Sequence, residues 1–179
     1  MSSPEPLEIE RVYLLRRLPD LPAGAIALRI EQGYLPDDPE PTHAGEITEG
    51  RVRRTVRPDG TVSCKHTVKR GEGLVRTEVE VGIDEATFQR EWEKTVRRRI
   101  RKTRYEVTEG ALTWEIDAFD ELDLFMAEVE LPGEGTEVVL PEWLAPLVLR
   151  ELTEEPRYRN YALAIEGLPP DHPKSEPRP

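Results

Sequence analysis

The chain has 179 residues, with 36 acidic and 25 basic side chains and a formal net charge of −11 at pH 7. This length predicts one domain with a substantial core, and the acidic balance disfavours nucleic acid or an anionic membrane as a partner. A single cysteine, Cys64, excludes an intramolecular disulfide and a cysteine-rich zinc site, and the three histidines have no metal-ligand spacing. The sequence contains neither a membrane-spanning apolar run nor a signal-peptide pattern, so we predict a soluble, cytoplasmic protein.

Alternating apolar and polar residues predict a chain built mainly of strands. The predicted strands lie near residues 7–15, 25–33, 47–57, 61–70, 74–83, 102–109, 112–119 and 123–131. The Asp-Gly pair at 59–60 and Gly110 are turn signals between successive strands. We therefore predict an α+β, mainly β fold, in which eight antiparallel strands form a closed β-barrel, or tunnel, with a charged lumen.

Two segments have helical patterns and are expected to flank the sheet. In residues 84–102, apolar side chains recur every four residues from Phe88 onward, and Asp84 is a favourable N-cap. Residues 141–152 begin with a proline, which the first helical position tolerates, and they predict a shorter helix. The polar ends of the chain, rich in proline at the carboxyl terminus, predict disordered tails. The predicted domain spans residues 7–166, between tails at 1–6 and 167–179.

The charged residues of the predicted strands share faces, and the two signs occur on different strands. In residues 7–15, Glu8 and Glu10 fall on one face while Ile9 and Tyr13 fall on the other. Similar acidic pairs occur at 78/80, 115/117 and 128/130, and basic pairs occur at 51/53, 65/69 and 102/104. A solvated face would explain the alternation in any single strand. The separation of the signs instead favours a lumen with an acidic side and a basic side, because like charges on one face repel.

A lumen of this kind predicts a ligand that carries both signs, such as a polyanion with divalent cations. Carboxylate oxygens are the ligands that Mg²⁺ and Mn²⁺ prefer, and a bound dication removes the cost of clustering acids. Arginines bind phosphate oxygens bidentately, and lysines add point charges. Metal-assisted phosphoryl transfer requires this combination of groups.

Nine short motifs, in order from residue 7 to about residue 164, resemble the CYTH family, also called the triphosphate tunnel metalloenzymes. They are EIERVYLL (8–15), RIEQGYL (29–35), GRVRRTV (50–56), HTVKRG (66–71), RTEVEVGI (76–83), KTRYEV (102–107), TWEIDAFD (113–120), MAEVELP (126–132) and EPRYRNYALA (155–164). The resemblance implies an eight-stranded tunnel that hydrolyses a triphosphate with Mg²⁺ or Mn²⁺, with inorganic tripolyphosphate as the favoured substrate. We also predict a monomer or homodimer that, given its acidic charge, binds no nucleic acid and no membrane.

The resemblance also implies roles for individual residues. The implied metal ligands are Glu8, Glu10, Asp117, Glu128 and Glu130. The implied catalytic residues are Glu10, Glu78, Glu80 and Asp117. The implied substrate-binding residues are Arg51, Arg53, Lys69, Arg76, Lys102 and Arg104.

One position departs from the family pattern. The first motif of the family reads ExExK, and Val12 stands where the lysine is expected. Arg11 cannot replace that lysine, because its side chain should leave the opposite face of the strand. The departure predicts reduced activity and is the reason for one alternative, a non-catalytic sensor of polyphosphate or nucleotide. The activities of the family leave two others open, which are hydrolysis of thiamine triphosphate or a nucleoside triphosphate, and adenylate cyclisation.

Overall fold

Nine strands and two α-helices make up the part of the chain that the structure, a computed structural model, describes: residues 9–36, 50–70, 77–133 and 135–176. The strands are β1 (Ile9–Leu15), β2 (Ile26–Tyr34), β3 (Arg51–Val56), β4 (Val62–Arg70), β5 (Thr77–Ile83), β6 (Arg99–Glu109), β7 (Leu112–Phe119), β8 (Phe125–Leu131) and β9 (Val148–Glu151). The helices are α1 (Glu85–Glu93) and α2 (Asn160–Glu166), and short 3-10 turns lie at Ala145–Leu147 and Pro156–Tyr158. No helix in these ranges is long and apolar enough to cross a lipid bilayer.

The strands form one antiparallel sheet in the order β5-β4-β3-β2-β6-β7-β8-β1-β9. The predicted turns are confirmed. Gly60 (φ 84°) lies between β3 and β4, and Gly110 (φ 63°) lies between β6 and β7. Both glycines have the left-handed backbone that residues with a side chain rarely adopt. All eight predicted strands are present, with ends shifted by a few residues.

The prediction of an eight-stranded closed barrel is confirmed only in part. The fold is mainly β and antiparallel, but it has a ninth strand, and in the described part of the chain the sheet ends at β5 on one side and at β9 on the other. Within the described residues, the sheet does not close at β1 because both edges of this strand are already paired. One edge pairs with β8. Its other edge pairs with β9, where Tyr13 lies opposite Glu151 and Leu14 opposite Arg150. The edge through which β1 could have paired with β5 is therefore occupied.

The predicted helix at 141–152 is wrong. This segment contains a turn, the 3-10 turn at Ala145–Leu147 and then β9. Pro146 has no amide hydrogen to donate, and the residue before a proline avoids the helical conformation, so a longer helix is disfavoured here. The residues that follow instead extend along the open edge of β1, where backbone pairing is available.

The predicted helix at 84–102 is present but shorter. Asp84 caps α1 as expected, since its Oδ1 accepts a hydrogen bond from the Thr87 amide at 2.7 Å. The helix ends at Glu93, and Arg97 adopts a left-handed backbone conformation (φ 65°). That conformation breaks the helix, and the chain enters β6 at Arg99, so the last residues predicted as helix are strand.

The sheet has two different faces. On one, which we call the apolar face, Trp114, Ile116 and Val129 form a core with the segment around Leu144, and α1 covers the region of Val52. On the other, α2 and the residues before it cover one end. The apolar cluster at that end contains Leu14, Ile100, Phe119, Leu124, Met126, Leu152, Tyr158 and Leu163.

Gly33 on β2 is a point of very close contact on the apolar face. A Cβ atom at this position would lie 2.4 Å from Thr95 Oγ1, far inside van der Waals distance. Thr95 is fully buried, and its hydroxyl donates to the Trp92 carbonyl at 2.8 Å and accepts from Arg99 Nε at 2.9 Å. The turn after α1 therefore packs directly against the β2 backbone.

The carboxyl-terminal part of the described chain lies back against the fold. Arg157 pairs with Asp171 at 2.8 Å, the Tyr158 hydroxyl and His172 Nδ1 are 3.0 Å apart, and the Ser175 amide donates to Asp123 at 3.1 Å. Residues 1–6 and 177–179 of the predicted tails lie outside the described residues, and the domain boundaries stay predictions.

Candidate functional site

The register of the sheet places the predicted charged pairs on one face, which we call the charged face. Residues directly opposite each other on neighbouring strands share a face. Glu10 lies opposite Glu130, Glu128 opposite Glu115, and Asp117 opposite Arg104. Continuing this register from β6 through β2, β3, β4 and β5 gives the rest of the face. Its charged members on β1 to β8, among residues whose side chains are described, are Glu10, Arg51, Arg53, Lys65, Glu80, Lys102, Arg104, Glu106, Glu115, Asp117, Glu128 and Glu130.

The two signs occupy largely different parts of this face. Among these residues, every acidic one except Glu80 on β5 and Glu106 on β6 lies on the adjacent strands β7, β8 and β1. The basic residues lie on β6, β3 and β4, with β2 between β6 and β3. The predicted separation of charges is thus confirmed in part within the described residues, because Glu80 and Glu106 lie among the basic strands.

Arg104 lies at the border between the two parts and contacts three carboxylates. Its Nε and Nη2 bind the two oxygens of Asp117 at 2.7 and 2.6 Å, Nη2 also contacts Glu128 at 2.6 Å, and Nη1 contacts Glu115. Burial alone would lower the pKa of this guanidinium, but the three acids together raise it well above its usual value. Arg104 therefore neutralises much of the acidic part.

Asp117 is fully buried and also binds Lys102. The Lys102 ammonium lies 2.5 Å from Asp117 Oδ2 and 3.3 Å from the Asn160 side-chain oxygen on α2. Burial by itself would raise the pKa of Asp117, but Arg104 and Lys102 outweigh it and hold the pKa well below its usual range. Burial lowers the pKa of Lys102, and the nearby Asp117 opposes that shift. Asp117 is therefore the shared anion of two buried cations.

The pKa of Glu115 is shifted upward, in the opposite direction from that of Asp117. Burial raises its pKa, repulsion from Glu128 and Asp117 adds to the shift, and the attraction of Arg104 acts against it. The charged form of Glu115 is therefore disfavoured, which is a condition that a nearby cation relieves.

Arg53 has a different environment. Its Nε donates to the Gln32 side-chain oxygen at 3.0 Å. Within the described ranges, no carboxylate lies at ion-pair distance from this guanidinium. Burial lowers its pKa to about 10, and repulsion from Arg51 and Arg104 adds to the shift. A charged group held in this way favours the approach of an anion.

Lys65 and Glu80 form an ion pair beside Arg53. Lys65 Nζ lies 2.5 Å from Glu80 Oε1, and the Thr67 hydroxyl lies 3.1 Å from Oε2. Burial would raise the pKa of Glu80, but Lys65, Thr67 and Arg53 lower it overall. Glu80, predicted to be catalytic, is therefore ionised and held at the basic side of the face.

Four predicted site residues lie wholly or partly outside the described part of the chain. Glu8 and Arg76 lie outside the described residues. Lys69 and Glu78 are described by their backbones, which lie opposite each other in the pairing of β4 with β5. The roles predicted for these four residues stay predictions.

Val12 lies on the charged face opposite Glu128, half-buried against the cluster beneath α2. Arg11 points to the other face, as predicted, and pairs with Glu151 at 3.1 Å. The position of the expected lysine is therefore apolar, and Arg11 does not fill it.

Three site residues were not predicted from the sequence. Gln32 is fully buried and its Nε2 lies 2.5 Å from the Tyr34 hydroxyl, while Tyr34 contacts the Tyr161 ring edge-on at 5.1 Å. Asn160 reaches Lys102 from α2. Alternation along β2 places Gln32 and Tyr34 on the same face as the charges, and this was the signal that could have identified them.

The acidic part fits a divalent cation in the chemistry of its donors. Glu10 and Glu130, like Glu115 and Glu128, bring hard carboxylate oxygens to directly opposite positions of neighbouring strands. In the part of the chain that is described, no group of three or more His, Cys, Asp or Glu side chains is arranged to hold a metal. Glu115, Asp117 and Glu128 are instead directed at Arg104.

Comparison with known proteins identifies relatives along nearly the whole chain. The inorganic triphosphatase of Nitrosomonas europaea is 36% identical over 164 residues, covering 88% of this chain and 97% of that protein. The inorganic triphosphatase of Acetivibrio thermocellus is 34% identical over 111 residues, or 60% of this chain and 66% of that protein. No protein-family model matches the chain.

The fold comparison agrees. The crystal structure of the inorganic triphosphatase NE1496 has a TM-score of 0.60 and 32% identity, covering 88% of this chain and 97% of that one. A second structure of NE1496 has a TM-score of 0.58, covering 90% of this chain and 99% of that one. Because sequence and fold agree over this length, the chain belongs to the inorganic triphosphatase family, within the triphosphate tunnel metalloenzymes that its nine motifs resemble.

Proposed function

We propose that this protein hydrolyses a triphosphate, with inorganic tripolyphosphate as its substrate, to pyrophosphate and phosphate with Mg²⁺ or Mn²⁺. Relatives named inorganic triphosphatase support the activity. The observation that carries the proposal is the presence of two unlike groups on one face of the sheet. Arg53 on β3 has no carboxylate at ion-pair distance among the described residues, and the acids Glu115, Asp117 and Glu128 lie together on β7 and β8.

The basic part of the face binds the phosphates in this proposal. Arg53 and Arg51 lie two residues apart on β3, on the same face, and can donate in parallel to phosphate oxygens. The predicted contributions of Lys69 and Arg76 would extend this group. Binding an anion there removes the repulsion between the cations, which lowers the free energy of the complex.

The acidic part holds the divalent cation in this proposal, through Glu10, Glu128 and Glu130 together with Glu8. When bound, the cation supplies Lewis-acid polarisation of a phosphoryl group and neutralises its charge. Water attacks the terminal phosphorus, the bond to the bridging oxygen breaks, and pyrophosphate leaves. Asp117 is already bound by the Lys102 ammonium and the Arg104 guanidinium. Its role in this proposal is therefore to orient these two side chains.

Arg104 connects the two parts. Its two contacts with Asp117 fix the guanidinium plane, and its contacts with Glu115 and Glu128 lie on the side of the acidic strands. A phosphate that bound Arg104 would compete with Glu115 and Glu128 while Asp117 kept its hold. Arg104 would then release these carboxylates to the cation as substrate bound.

A sensor without turnover is the second candidate, and Val12 is the observation that favours it. An apolar side chain opposite Glu128 removes a cation from the place where the family pattern has one. Binding through Arg51 and Arg53 does not depend on that cation, so affinity for triphosphate would persist without efficient hydrolysis.

The remaining finer proposals concern the setting of the site. We propose that the charged face lines a tunnel, and that the protein is cytoplasmic and acts as a monomer or homodimer. Light scattering of the purified protein, with and without tripolyphosphate, would give the oligomeric state.

The activity test uses four substrates with one detector. Tripolyphosphate, ATP, thiamine triphosphate and pyrophosphate are each incubated with the protein and Mg²⁺ or Mn²⁺, and phosphate release is followed, with a chelator as control. We expect the fastest release from tripolyphosphate and none with the chelator. Faster turnover of an organic triphosphate would replace the substrate. Tight binding with no release from any of the four would establish the sensor.

A further inference from the structure

Gln32 connects the interior of the sheet to Arg53. Its side chain is fully buried, its oxygen accepts from Arg53 Nε at 3.0 Å, and its nitrogen lies 2.5 Å from the Tyr34 hydroxyl. An arginine nitrogen can only donate, so the amide atom facing Arg53 must be the oxygen. The amide nitrogen then faces Tyr34 and donates to its hydroxyl.

The chemical nature of the partner distinguishes Arg53 from Arg104. Three carboxylates contact Arg104 and neutralise its charge. A neutral amide contacts Arg53, so the guanidinium is held in place while its full charge remains. Glu80 attracts this guanidinium, but the carboxylate is bound by Lys65, and the repulsion from Arg51 and Arg104 is larger.

Tyr34 fixes the direction of the amide. It is buried, its hydroxyl accepts the hydrogen bond of the Gln32 nitrogen, and its ring contacts Tyr161 on α2. With this hydrogen bond in place, the Gln32 oxygen points to Arg53. Without it, the amide could rotate and present its nitrogen, which would repel the guanidinium.

We propose that Gln32, oriented by Tyr34, is a positioning residue that holds Arg53 in the geometry for binding a phosphate without neutralising it. The inference rests on the proposed function, since it assumes that Arg53 binds the triphosphate. It adds a requirement for a neutral acceptor at position 32, which a carboxylate of the same shape does not meet.

The decisive variant is Gln32→Glu, which keeps the shape and the acceptor but adds a negative charge. We expect the new carboxylate to pair with Arg53 and compete with phosphate, which raises KM for tripolyphosphate about tenfold or more with a smaller change in kcat. The matched control is Gln89→Glu, the same substitution at an exposed position of α1, on the apolar side of the sheet. It should leave KM within about twofold of the unmodified protein.

A pH profile separates positioning from a merely structural role. A protonated carboxyl resembles the amide, because one oxygen accepts and the hydroxyl donates. The affinity of Gln32→Glu relative to the unmodified protein should therefore rise as pH falls and the new carboxyl becomes protonated, with Arg53 shifting this recovery to lower pH than for a free carboxyl. Isothermal titration calorimetry with tripolyphosphate at each pH gives the ratio of the two affinities. Protonation of tripolyphosphate affects both proteins equally and therefore cancels in this ratio.

The outcomes separate the inference from the proposed function. If Arg53→Ala leaves KM and affinity unchanged, the assignment of Arg53 to the substrate fails. If Arg53→Ala weakens binding but Gln32→Glu matches the unmodified protein at every pH, the positioning role is overturned and the function stands. Should Gln32→Glu fail to fold in a thermal melt, Tyr34→Phe decides. Because the Tyr34 hydroxyl also interacts with Arg51, Tyr34→Phe is measured with and without Arg53→Ala. A KM that Tyr34→Phe raises only when Arg53 is present supports the role of Gln32, and an unchanged KM, or the same rise without Arg53, overturns it.

Discussion

Two arginines on the same face of one sheet have opposite surroundings. Arg104 contacts three carboxylates and is part of a buried network with Asp117 and Lys102. Arg53 contacts the amide of Gln32 and is repelled by Arg51 and Arg104. The difference teaches that a charge count does not identify a ligand site. A compensated arginine stabilises the protein, and an uncompensated one is available to a partner.

The largest expected effect lies in the acidic part, at Glu10→Gln. Losing this carboxylate should abolish metal-dependent phosphate release, because the amide is a weaker ligand for a hard dication. Phosphate release and Mn²⁺ binding by calorimetry both measure the effect. Turnover equal to that of the unmodified protein would refute the metal assignment of Glu10.

The next effect tests whether Arg104 belongs to a compensated network. Asp117→Ala would leave two buried cations without their shared anion, so we expect a loss of about 3–5 kcal/mol in the free energy of unfolding. Urea denaturation followed by circular dichroism gives this value. Glu151→Ala is the control, because its ion pair with Arg11 is exposed and is worth less than about 1 kcal/mol.

The same network predicts a pH dependence of stability. The pKa of Asp117 is lower in the folded state than the unfolded value of about 3.9. Its contribution is therefore fully present above that unfolded value and is lost as pH falls through the folded one. Urea midpoints measured at decreasing pH should drop steeply below about pH 4. A flatter profile in Asp117→Ala would agree with this origin, and an identical profile would contradict it.

Arg53→Ala tests the uncompensated side of the comparison. Removing this cation should raise KM for tripolyphosphate about 10- to 100-fold, since a charge-assisted hydrogen bond to phosphate is lost. Stability should change much less than in Asp117→Ala, because the described surroundings of Arg53 contain no carboxylate that would be left unpaired. Steady-state kinetics and a urea titration of the same sample give both numbers. A large loss of stability with unchanged KM would reverse the roles of the two arginines.

The smallest effect is expected at Val12→Lys. The new cation would lie opposite Glu128 and should raise kcat/KM up to about tenfold, if the missing lysine limits turnover. Kinetics with tripolyphosphate test this, with Val12→Met as a control for size. No change in turnover or affinity would indicate that Arg104, which already contacts Glu128, supplies the charge.

The sequence predicted the strands and the charged face because both depend on local alternation. Glu128 and Glu130, or Arg51 and Arg53, alternate with apolar neighbours, and the period of two alone places them together. Strand β9 was missed because its state is set by the open edge of β1, more than a hundred residues away in the chain. Pro146 and the apolar residues around it are compatible with either structure until that edge is known.

The sequence predicted which charged residues share a face, but not which of them lie opposite each other on neighbouring strands. Nothing local indicates that β6 lies between β2 and β7, yet this order places Arg104 opposite Asp117. Gln32 was not predicted because it is neutral, and the site was predicted from the pattern of charged residues. Its importance depends on contact with Arg53 from the adjacent strand, which is a property of the folded sheet.

Gly33 limits how this enzyme family member could be redesigned. It lies between Gln32 and Tyr34 in the sequence. Because glycine has no side chain, the hydrogen-bonded Thr95 packs directly against the strand on its apolar face. A methyl group at position 33 would have to displace Thr95 or the strand itself, and moving the strand would carry Gln32 away from Arg53. Variant libraries that aim to change substrate preference through β2 should therefore vary the positions on the charged face and keep Gly33 constant. A side chain added at Gly33, on the apolar face, would shift the backbone that positions Gln32 and Arg53.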